Sequence, residues 1–163
     1  MNYGALETEL VTRLNAYFTT LNVDDKFEAV EIPQNESENT RPFIKSKVTV
    51  QYFTSTYKPT QSLDAVSQHE TITVRLFFEA RNLREANGFY VLVELVKRSL
   101  LGYTPANCTK RLTIDKYDLV VYENNTVSPF IDFQTETLNV QAFDDRETGP
   151  DFKDLTIERQ CPT

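Results

Sequence analysis

Residues 69–105, HETITVRLFFEARNLREANGFYVLVELVKRSLLGYTP, constrain the fold more than any other stretch of this chain. Ile72, Val74, Leu76, Phe78 and Ala80 alternate with Thr71, Thr73, Arg75, Phe77 and Glu79, the period of a half-buried strand. Asn82 follows as a helix N-cap, with Glu85 at the spacing of a capping box. Phe89, Val93, Val96 and Leu100 then recur at helical spacing, flanked by Ala86, Leu92 and Leu101. Gly102 takes the C-cap place and Pro105 bars continuation. Gly88 falls inside this helix, costing about 1 kcal/mol relative to Ala, which close packing on a sheet would offset. One strand and one helix, each apolar on one side only, demand a layered domain.

The remaining segments supply the other layers. Residues 5–20 read as a helix in which Leu6, Leu10, Leu14 and Phe18 form a stripe widened by Val11 and Tyr17. Glu7 and Glu9 are placed near the positive end of its dipole, with Arg13 and Asn15 toward solvent. A short strand is expected over 27–32, stopped by Pro33, and then a polar loop over 34–40. Residues 43–56 read as a long strand with Ile44, Ser46, Val48, Val50, Tyr52 and Thr54 on one face and Phe53 on the other. Residues 57–68 read as a loop. Strands are expected over 111–123, with a phase break near Asp115, and over 130–143, joined as a hairpin by the turn signal Asn124-Asn125. This order predicts an α+β fold, a mostly antiparallel sheet with two helices packed on one face. Residues 1–143 form one domain in this reading and 144–163 a polar extension. The alternation at Leu155 and Ile157 suits either a strand added to a neighbour's sheet edge or a disordered tail.

Chemistry is hard to find. The sole histidine is His69, and Cys108 and Cys161 lie far from it and from each other, so no zinc-ligand spacing exists. Asp24-Asp25 and Asp144-Asp145 are paired carboxylates without the apolar frame that tunes a hydrolytic pair. Four glycines leave no phosphate-cradling loop, and a net charge of -7 argues against a nucleic-acid groove. The reading is therefore no catalytic, cofactor-binding or metal-binding residue. The N-terminal segment MNYGALETEL has no basic-then-apolar leader and no apolar run reaches bilayer length, so the expectation is a soluble chain with free thiols, folding in a reducing cytoplasm without membrane contact.

What remains suits assembly. Phe53 and Phe77 each occupy the polar side of a strand, and Arg75, Arg81 and Arg84 lie near Glu79 and Glu85. Either a helix or loop of the same chain covers the two rings, or they belong to a subunit interface, where aromatics and Arg are enriched. The arginines are either solvated or paired across subunits. Phe53, Arg75, Phe77, Arg81 and Arg84 are the candidate interface residues.

The segment FFEARNLREANGFYVLVELVKRSLLGYTP resembles Mu-like phage tail proteins, in which a strand, an "arn-r" turn and a helix close on L-G-[WY]-x-P. The matching residues are Ala80, Arg81, Asn82 and Arg84, then Leu95, Leu100, Gly102, Tyr103 and Pro105. ETELVTRLNAYF and KVTVQYF fall in the corresponding order, so the resemblance spans roughly residues 6–140. That family is similar to the tail terminators of long-tailed phages. The resemblance implies a cofactor-free structural protein of the virion tail, assembled in the host cytoplasm. It would form a homo-oligomeric ring, usually a hexamer, on the head-proximal end of the tail tube. Its partners would be the tube protein, the neck or connector protein and, in contractile tails, the sheath, with DNA only as cargo passing through the lumen. Residues 57–68 and the acidic tail match no motif of that family. A head–tail connector or other tail-completion subunit, and a small cytoplasmic enzyme with a site dispersed over Tyr, Asp and Arg residues, are the alternative readings.

Overall fold

A computed structural model describes residues 2–32, 45–58, 67–80, 84–85, 88–121 and 127–140. The chain runs through helix α1 (Tyr3–Thr20), strands β1 (Phe27–Glu31), β2 (Ser46–Tyr57) and β3 (Ser67–Glu79), helix α2 (Phe89–Leu100), then strands β4 (Thr113–Val121) and β5 (Val127–Val140). The strands form one five-stranded sheet in the order β1-β2-β3-β5-β4. Only β1 and β2 run parallel; β2–β3, β3–β5 and β4–β5 are antiparallel. The expected α+β architecture is present, with the helices and one sheet face sharing a single core.

That core follows from the periods in the sequence. Leu6, Leu10, Leu14 and Phe18 of α1 and Phe89, Leu92, Val93, Val96 and Leu100 of α2 are buried against Val48, Val50, Ile72, Val74, Leu76, Phe78, Ile131 and Phe133. Each large side chain removed from water here contributes about 1.5–3 kcal/mol. β3 lies between β2 and β5, so both of its margins are hydrogen-bonded.

Polar clips position α1. Its N-cap is Asn2, whose side chain accepts the Ala5 N–H at 3.2 Å. No acidic residue occupies the first turn. Glu7 and Glu9, expected there, instead reach outward: Glu7 accepts the Tyr52 backbone N–H, and Glu9 accepts the Tyr103 hydroxyl and the Ala106 N–H. Asn15 is likewise not a solvent residue. It donates to Ala29 O at 2.9 Å and accepts from Ala29 N at 2.8 Å, so one amide occupies both outward backbone groups at the middle of edge strand β1.

The second helix starts later than its capping box suggests. Its N-cap is Gly88, in extended conformation and without a side-chain hydrogen bond. Arg84 and Glu85 lie in an exposed bend, and Asn82 is outside the described residues. Burial explains the difference. Between positions 81 and 88 the only large apolar residue is Leu83, so a turn of helix there has almost nothing to bury, whereas Phe89 begins the stripe. At the other end Gly102 adopts φ +80°, the left-handed conformation that stops a helix after its C-cap, and its N–H donates to Leu112 O.

Strand limits also shift. β2 and β3 extend through Tyr57 and back to Ser67, shortening the expected loop, of which positions 59–66 lie outside the described residues. Irregularities interrupt the ladder between Tyr52 and Thr54 and between Ile114 and Lys116. The second matches the phase break near Asp115. The first overturns the placement of Thr54 on the core side: beyond it, Ser55 pairs with core residue Ile72 and Thr54 with Thr73. The loop over 34–40, the strand start at Phe43 and Ile44, the turn at Asn124-Asn125 and the extension over 144–163 also lie outside the described residues.

Candidate functional site

The sheet face turned away from the helices carries a cluster of one arginine, one carboxylate and three aromatic rings. It originates in the β2 bulge. Glu7 draws the Tyr52 N–H toward α1, and the extra residue, Phe53, is left on the opposite side, 48% exposed. The neighbouring strand β3 places Arg75 opposite Gln51 on β2 and opposite Asp132 on β5. Arg75 Nε donates to Asp132 Oδ1 at 2.7 Å and its Nη2 to Oδ2 at 2.8 Å, a two-pronged pair. The guanidinium carbon lies 3.6 Å from the Phe53 ring centroid and 4.0 Å from that of Phe130. Phe130 also meets Phe77 at 6.3 Å, tilted by 52°. The arginine is thus fixed at its edge by a carboxylate and at its faces by rings.

The electrostatics follow. Hydrogen bonding to Asp132 pushes the Arg75 guanidinium still higher than its ordinary value, against a smaller opposing effect of burial. Asp132 is 3% exposed, so the pair is not a solvated surface contact. Around it are the ion pairs Lys47–Glu79 at 3.5 Å and Lys116–Asp118 at 2.9 Å. Farther along this face Lys58 and Lys110 flank Glu136 at 3.0 and 2.7 Å, and their hydrogen bonds hold its carboxyl below the usual range.

Of the five candidates, Phe53, Arg75 and Phe77 therefore form one cluster. Arg84 stands apart in the bend before α2, and Arg81 is outside the described residues. Arg75, read as either solvated or paired across subunits, is paired within the chain with Asp132. Phe77 is half-buried beside Phe130, while Phe53 projects. Sequence reading missed Phe130 and Asp132. Their only signal was alternation on β5, which does not reveal which residue of β3 lies opposite.

Other groups remain separate. His69 lies in β3 and is exposed. Cys108 is half-buried, and burial pushes its thiol up, away from the reactive thiolate; Cys161 is outside the described residues. Asp24 and Asp25 lie in the turn before β1, where Asp24 O accepts from Lys45 Nζ at 2.6 Å. Among the described residues no three His, Cys, Asp or Glu side chains gather to hold a metal ion, and no helix is long and apolar enough to cross a membrane.

Fold and site together define a small α+β sheet-and-helix domain with an aromatic–arginine cluster on its helix-free face. The chain belongs to the Gp37 protein family, whose model matches residues 10–159. No curated protein matches it. Among solved structures it has a loose likeness to a chain of "Virion of native gene transfer agent (GTA) particle", at 13% identity and a TM-score of 0.45, covering 84% of this chain and 97% of that one.

Proposed function

We propose that this protein is a structural component of a phage-type virion, a tail terminator that closes as a ring on the head-proximal end of the tail tube. The observation that carries the reading is Phe53, a large ring thrown out of the sheet by a bulge and backed by the immobilised Arg75. An exposed aromatic on a rigid support is the kind of anchor that dominates protein interfaces. The resemblance of residues 77–105 to Mu-like tail proteins supplies the direction. Ring closure requires two different patches on each subunit. The Phe53 face is one. The free margin of β4, unpaired on its outer side among the described residues, is the other, suited to an added strand such as the extension over 144–163. The partners are then further copies of the chain, six in the ring, the tube protein, the neck protein and, in a contractile tail, the sheath. The net charge of -7 suits a lumen through which DNA slides without adhering.

Deleting the gene from its phage tests the role. A terminator's loss yields tails of uncontrolled length. Tails of normal length that fail to join heads would reassign the protein as a connector.

A further inference from the structure

We propose that a depression at one end of the helix-free sheet face docks the acidic stretch over 144–151 of the chain's own C-terminal extension. The depression encloses about 240 Å³ and is lined by Thr71, Lys110, Arg111, Thr113, Gln134 and Glu136, among others. Strand register places it. Glu136 on β5 lies opposite Thr71 on β3, and Gln134 lies opposite both Thr73 on β3 and Thr113 on β4. Residues opposite one another share a sheet face, and Gln134 and Glu136 continue the alternation of Asp132. The inference concerns 144–151 alone and does not depend on the assembly reading.

Cations outnumber carboxylates here. Lys58 Nζ meets Glu136 Oε1 at 3.0 Å and Lys110 Nζ meets Oε2 at 2.7 Å. Both oxygens of Glu136, the one carboxylate among the described residues that line the depression, are thereby taken. Each ammonium keeps further N–H donors, and both lysine side chains are more than half exposed. Arg111 is exposed, and its guanidinium has no hydrogen-bond or ion-pair partner among the described residues. The side chains of Thr71, Thr113 and Gln134 likewise make no hydrogen bond among the described residues, so the lining also offers hydroxyl and amide donors. On a chain of net charge -7 this is a local excess of positive charge.

Charge and reach select the occupant. The stretch 144–151 carries Asp144, Asp145, Glu147 and Asp151 against a single Arg146. It begins four positions after Val140, the end of β5, and Glu136 stands four positions before that end. A strand rises about 3.3 Å per residue, so the chain beyond Val140 has to run back only about 13 Å to reach the depression. A reversal of about two residues brings Asp145 level with Leu138 and Glu147 level with Glu136. A single exposed ion pair is weak. A segment tethered this close meets its site at an effective concentration in the millimolar range, and its carboxylates pair together rather than one at a time.

The test is carbodiimide coupling, which joins a lysine amine to a carboxylate in contact with it, on the full chain at low concentration with isotopically heavy and light copies mixed. Peptide mass spectrometry should find Lys58 or Lys110 joined to Asp144, Asp145 or Glu147 within one copy. These links should be at least fivefold more frequent than links from the exposed Lys26 to the same carboxylates. High salt and Arg111→Gln should each lower their yield severalfold. Neutralising the stretch by Asp144→Asn, Asp145→Asn and Glu147→Gln together should shift the amide NMR signals of Thr71, Thr113 and Gln134 and spare those of α1. Coupling spread evenly over the lysines, or signals of the depression unmoved by the neutral stretch, would overturn the proposal. Heavy-to-light links as frequent as like-to-like links would give the site to a second copy instead. Displacement of the stretch by inorganic phosphate, but not by chloride at equal ionic strength, would reassign the depression to a free anion.

Discussion

Asp132 on β5 grips Arg75 on β3 by both carboxylate oxygens, and the grip holds the guanidinium flat between the rings of Phe53 and Phe130. Removing one member leaves the other's charge in a largely buried place. Asp132→Ala should therefore lower unfolding stability by about 3 kcal/mol. Replacing both, as R75M with D132L, should cost less than Asp132→Ala alone. Urea unfolding of the two single variants and the double variant measures this, and additive losses would refute the coupling.

Phe53 contributes little to the monomer by this geometry, since an exposed cation–ring contact is worth about 0.5–1 kcal/mol. Phe53→Ser should leave the melting curve nearly unchanged while weakening self-association at least tenfold. Analytical ultracentrifugation across a concentration series reads the second effect. A variant that associates as well as wild type would remove Phe53 from the interface.

Glu70 ties the start of α1 to the sheet. Its carboxylate accepts the Tyr3 hydroxyl at 2.6 Å, the Tyr57 hydroxyl at 3.2 Å and Asn139 Nδ2 at 2.8 Å. Burial works to raise this carboxyl, but hydrogen bonds from Ser55, Tyr3, Asn139 and Tyr57 outweigh it, and the net shift is downward. A depressed folded value means that the ionised form stabilises the fold. That contribution is present above the ordinary value of 4.5 and is lost as pH falls through the lower folded one. Melting temperature should decline below about pH 4.5 in the wild type and decline less steeply in Glu70→Gln. Parallel curves would assign the acid limb to other groups.

Asn15→Leu keeps a similar bulk but strips both hydrogen bonds from Ala29. The exposed margin of β1 should then exchange its amide hydrogens faster, and stability should fall by about 1–3 kcal/mol. Hydrogen exchange confined to 27–31 separates this from global loosening. Unchanged exchange at Ala29 would contradict the clip.

Local signals were readable in the sequence and distant ones were not. The Leu6-Leu10-Leu14-Phe18 stripe, the alternation through Ile72 and Phe78, the stop at Gly102 and the broken phase near Asp115 depend on neighbours a few residues away, and the structure reproduces them. The Asn82–Glu85 spacing was local too, yet the helix is capped at Gly88 and begins at Phe89, where the apolar stripe starts. The roles of Glu7 and Asn15 were hidden because each meets a backbone group on another element. Arg75 and Asp132 stand 57 positions apart, and their meeting depends on the register of β3 against β5, which no single strand encodes.

The Asn15 clip also gives the sheet a direction. One margin, β1, is already spoken for at its midpoint by the chain's own helix, while the other, β4, ends the sheet among the described residues. Among the described residues, copies that meet through strands are thereby steered toward the β4 side. Runaway stacking of sheets edge upon edge, the route to fibres, is obstructed at every second step. A single asparagine on the first helix thus sets an obstacle to polymerisation edge upon edge.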